Sequence, residues 1–142
     1  MSPDEPDNAQ PNAFGGYGRA VDPAEIARKY VSYKTADPTR PIYLGLGQGV
    51  AYDGWWGRGS NPPPEASYVP TADIVGYDIY PYNKCGTEPA ICGQFWRNAL
   101  GVDRLRRWST HNQAVWTWIE ASRMGRDSGP TPAQIRSEVW LS

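Results

Sequence analysis

Three short apolar runs, set apart by stretches with helical spacing, constrain this chain more than any other feature. They are 41–46 (PIYLGL), 72–80 (ADIVGYDIY) and 114–120 (AVWTWIE), each a strand's length between turn signals. Near-continuous apolar strands separated by helices pair in parallel, because a crossover helix must carry the chain back to the same edge. The fold class expected is therefore α/β, with parallel strands and the helices on one outer face.

The helical stretches carry their own punctuation. Asp22 caps a helix that Pro23 opens, Ile26, Tyr30 and Tyr33 recur on one face, and Asp37-Pro38 ends it. A second helix is expected over 95–108. Thr131 caps a third over 132–141, with Ile135, Val139 and Trp140 as its apolar face. Residues 1–22 hold Pro3, Pro6 and Pro11 without periodicity and read as an irregular leading segment of a single domain, 1–142. The 25 residues 47–71, rich in Gly, Pro and Trp, are long for a connection and suggest a functional loop, with a helical turn near 65–68.

Fourteen basic against 15 acidic residues give a net charge of -1, with no run of like charge that would favour nucleic acid or an anionic membrane. No apolar stretch approaches a membrane span, and Met1-Ser2-Pro3-Asp4 does not begin a signal peptide. Cys85 and Cys92 share one loop-like segment. A short local disulfide there would place the parent protein outside the cytosol, secreted or periplasmic, while two free thiols is the alternative.

Seven Trp and nine Tyr against two Phe favour rings with a polar handle, which fill cores and also stack on sugars. In parallel sheets, reactive side chains gather at the carboxyl ends of the strands. Glu120 closes the third run, and a period of two sets it on one face with Trp118 and Trp116. At the other end of the chain, Glu5 precedes Pro6, so it is expected in extended geometry, finishing a strand and pointing from its rim. Paired carboxylates suit glycoside hydrolysis, where one protonates the leaving oxygen and the other meets an oxocarbenium-like centre. His111 is the only histidine and precedes a strand, which disfavours a triad or a zinc site. The Gly45-Leu46-Gly47-Gln48-Gly49 run lacks the Lys and the helix of a phosphate loop. No metal or cofactor is expected.

This arrangement resembles the second half, strand four to helix seven, of the (β/α)8 barrels of clan A glycoside hydrolases. Asp4-Glu5-Pro6 is similar to that clan's Asn-Glu-Pro at the acid/base, with Asp4 in place of Asn. Glu120 in Trp118-Ile119-Glu120 resembles the nucleophile, 115 positions on. The 73–81 segment is similar to the sixth strand, whose rim Tyr bonds the nucleophile: Tyr80 is expected in that role, with Tyr77 in reserve. The resemblance implies a retaining mechanism with the carboxyls roughly 5 to 5.5 Å apart and an oligosaccharide or polysaccharide substrate. Asp4, Trp55, Trp56, Tyr77, Asp78, Asn83 and Trp118 are the expected substrate contacts, and Asp53 and Arg58 are further groups able to bond hydroxyls. At 142 residues the chain falls short of the roughly 250 of a complete barrel. A partial barrel leaves open edges that favour a homo-oligomer, and it implies ancestry from an active enzyme more strongly than activity in the isolated chain. The alternatives are a non-catalytic carbohydrate-binding protein using exposed Trp and Tyr, and a small structural domain stapled by its Cys pair.

Overall fold

The computed structural model describes residues 4–55, 64–86, 89–110, 112–124 and 129–142. Helix α1 (Pro23–Ala36) leads into strand β1 (Tyr43–Leu46). Strand β2 (Ile74–Asp78), helix α2 (Trp96–Trp108), strand β3 (Ala114–Trp118) and helix α3 (Pro132–Leu141) follow. The strands form one parallel sheet in the order β1-β2-β3. All three strands and all three helices stand where the sequence predicts them.

Local chemistry sets the boundaries. The Asp22 carboxylate accepts from the Ala24 N–H at 2.8 Å, Pro23 supplies a preset φ, and the Asp37 N–H closes the last turn on the Tyr33 carbonyl. Thr131 and Gln134 form a reciprocal capping box at the start of α3. Asp73 fastens α1 to the sheet: it accepts from the Tyr30 hydroxyl at 2.8 Å, the Lys34 ammonium at 3.1 Å and the Ile42 N–H at 2.8 Å. Between β1 and β2 the chain makes three 3-10 turns, Gln48–Val50, Glu65–Ser67 and Val69–Thr71, of which only the second was expected.

Strand register gives the sheet two unlike faces. Leu44, Val75 and Val115 align in one row, Leu46, Tyr77 and Thr117 in the next, and this face packs on Ile26 of α1 and Val102 and Leu105 of α2. Gly45, Gly76 and Trp116 align on the opposite face. There the Tyr43 ring lies over the two glycines: a Cβ on Gly76 would come within 2.7 Å of its hydroxyl, so only glycine admits the ring. Trp116 tilts against Tyr43 with centroids 5.7 Å apart, and the Trp118 indole N–H donates to the Tyr43 hydroxyl at 2.7 Å.

Two expectations are corrected here. Glu5 finishes no strand: residues 4–8 are bends and turns, and Glu5 takes φ +44. The general bias of a residue before proline gives way because the Asn8 N–H and side-chain amide bind the Glu5 carbonyl and carboxylate at 2.9 and 3.0 Å. On α3, Val139 and Trp140 are exposed, and the buried residue is Glu138, one turn on from half-buried Ile135.

Candidate functional site

Beyond the carboxyl ends of β2 and β3 opens a cleft of about 420 Å³. Asp4, Tyr43, Asp78, Tyr80, Trp118 and Glu120 line it, together with Ile119, Ala121, Ser122 and Met124. Five residues singled out in the sequence, Asp4, Asp78, Tyr80, Trp118 and Glu120, thus meet in one place. Tyr43 joins them unforeseen, although its spacing of two from Gly45 was a usable signal that a ring lies over the sheet.

Glu120 is buried, and three N–H donors converge on its carboxylate. The Tyr82 N–H binds one oxygen, while the Asn83 N–H at 3.1 Å and the Asn83 amide at 2.7 Å bind the other. All three come from the loop after β2. The disulfide between Cys85 and Cys92 closes that loop, as the first of the two sequence readings had it. Asn83 also donates to the Ser122 carbonyl at 2.9 Å, so it orients the carboxylate and ties the two rims together.

Asp78 ends β2 with its side chain on the Tyr43 face. Burial first, then the nearby Glu5 and Asp4 carboxyls, push it up to about 6, against the pull of a bond from the Tyr80 hydroxyl. Tyr80 therefore serves Asp78, and the expected bond from Tyr80 to Glu120 is replaced by the Tyr82 and Asn83 donors. Burial and Asp78 hold the Tyr80 phenol well above its ordinary range. The Glu5 carboxyl acts on Asp78 and does not itself line the cleft, whereas Asp4 does.

Tyr77 belongs to the other face. It is fully buried, its hydroxyl donates to the Asn98 carbonyl at 2.6 Å, and burial raises it to about 12, so it makes no substrate contact. Trp55 is half-buried and packs on Gly47 and Gly49. Asp53 pairs with Arg104 at 2.8 Å. Trp56, Arg58 and His111 lie outside the described residues.

Two buried acids escaped the sequence reading. Asp7 is fully buried with both carboxylate oxygens 3.0 Å from the Gly47 N–H, and burial raises it to about 7. Glu138 is fully buried under the end of β3 and accepts from the Glu120 N–H at 3.2 Å.

Compared with known proteins, the chain matches no family model, no curated protein and no solved structure. Functional inference therefore rests on the chemistry of the cleft.

Proposed function

We propose that the chain is a glycoside hydrolase-like protein, related to the second half of a clan A (β/α)8 barrel, that acts on O-glycosidic bonds of an oligosaccharide or polysaccharide. The observation that carries this reading is one cleft at the carboxyl ends of two parallel strands, holding two carboxyl groups in contrasting surroundings beside an aromatic wall. Glu120, held by three N–H donors, has the acceptor-only surroundings of a carboxylate. Asp78, buried and beside Glu5, keeps a proton to about pH 6. That contrast is the division of labour glycoside cleavage needs.

In this reading Glu120 attacks the anomeric carbon and forms an ester as the glycosidic bond breaks. The leaving oxygen takes its proton from the Asp78 carboxyl, which lines the cleft and which neighbouring Glu5 helps to keep protonated. Water then cleaves the ester, returning a proton to Asp78. Trp118 and Tyr43 offer flat faces to a sugar ring. The disulfide is compatible with an extracellular location and supports a secreted or periplasmic parent, and among the described residues no helix is long and apolar enough to cross a membrane. Among those residues no strand pairs with the outer edges of β1 and β3, which supports self-association as part of the same proposal.

The test is hydrolysis of a panel of chromogenic aryl glycosides by the parent chain and by its E5Q, D78N and E120Q variants. The reading predicts turnover in the parent and a loss of at least about a hundredfold in E120Q. A second reading, non-catalytic glycan binding, is favoured by the exposure of Trp116 and Trp118, 49% and 54%. It predicts glycan affinity without turnover, lost in W118A and kept in E120Q.

A further inference from the structure

Beneath the cleft, on the helix-covered side, Glu120 meets a second carboxyl. Glu138 reaches it from α3, is fully buried, and accepts the Glu120 N–H at 3.2 Å. Its other oxygen, Oε1, is buried with no hydrogen-bond partner among the described residues, so a charged carboxylate is poorly satisfied there. The other groups acting on Glu138 are neutral: the Asn98 amide of α2 and the Tyr77 phenol of β2. Among the described residues neither carboxyl forms an ion pair with Lys or Arg. With no cation to balance them, two negative charges at this depth repel across a medium that screens poorly.

We propose that Glu138 is the proton partner of Glu120: the buried pair holds one proton near neutral pH, and its residence on Glu138 leaves the Glu120 oxygens free for the donors of the loop after β2. Burial first, and then the Glu120 charge, raise Glu138 to about 7, consistent with that placement. Glu138 is thus a positioning residue, acting through Glu120 and not on a ligand. This role deepens the hydrolase reading of the same cleft, but its test does not depend on turnover.

The experiment follows the carboxyl carbons of the full chain, labelled with 13C at Glu, by NMR from acid to alkaline pH, with E138Q assigning the signal. The expected result is a Glu138 carboxyl that keeps its proton to about pH 7. In E120Q that titration moves down, though not to the ordinary carboxylate value, because burial remains. A Glu138 that ionises in the ordinary range in the parent, or a raised titration that E120Q leaves unmoved, overturns the proposal. If the parent hydrolyses a glycoside, an inflection of kcat/KM near pH 7 present in the parent and absent in E138Q is also expected, and its persistence in E138Q counts against the proposal. A parent without turnover defeats the hydrolase reading alone, because the titration is read directly.

Discussion

Replacing Asp7 with Asn isolates the contribution of one buried acid to the pH dependence of stability. Asp7 sits fully buried against the Gly47 N–H, and burial raises it from 3.8 to about 7. Between those values the folded chain keeps a proton that the unfolded chain has released. The folded state therefore binds more protons, and stability falls as pH rises through that window. At about 1.4 kcal/mol per unit, the full penalty is about 4 kcal/mol, of which about 3 kcal/mol develops between pH 5 and pH 8.5. Asn keeps an acceptor for Gly47 and carries no charge at either pH. Urea unfolding followed by Trp fluorescence should find the stability of the variant relative to the parent rising by about 3 kcal/mol from the lower pH to the higher. Glu138 titrates in the same window but is common to both chains, so it cancels in the comparison. A stability difference that stays constant across this pH range would refute the assignment of a buried, proton-holding Asp7.

Two further substitutions probe the scaffold around the cleft. Replacing Cys85 and Cys92 together with Ser opens a loop of sequence separation 7. It should cost about 2 kcal/mol in urea unfolding by loop entropy, and it should loosen the Tyr82 and Asn83 donors, seen as faster exchange of their N–H groups in NMR. At Gly101 of α2 an added Cβ would overlap the Tyr77 ring, so G101A should lower stability by about 1 to 3 kcal/mol and displace the Tyr77 hydroxyl from the Asn98 carbonyl. A neutral G101A would mean that Tyr77 is not packed as described.

The element pattern was legible because its signals are local. Asp22, Pro23 and Asp37-Pro38 state both ends of α1, and each apolar run becomes a strand. The cleft was legible to the extent that strand ends are predictable, which is why Asp78, Trp118 and Glu120 converge there. Tyr77 went astray on parity: it shares a face with Val75 and the helices, opposite to Asp78. Glu5 and Glu138 depend on partners that no local rule supplies. Asn8 holds Glu5 in left-handed geometry, and Glu120, 18 residues before Glu138, makes a buried acid acceptable where an apolar face was expected. The only local trace of Glu138 was its spacing of three from Ile135.

The most direct test of the hydrolase reading is to trap the covalent intermediate it requires. The parent chain would be incubated with a panel of 2-deoxy-2-fluoro glycosyl fluorides, which slow the second step, and its peptides mapped by mass spectrometry. The account predicts a fluorosugar ester on Glu120, absent from E120Q. Ester on Asp78 or Glu5, or turnover of aryl glycosides with no ester on any carboxyl, would contradict it.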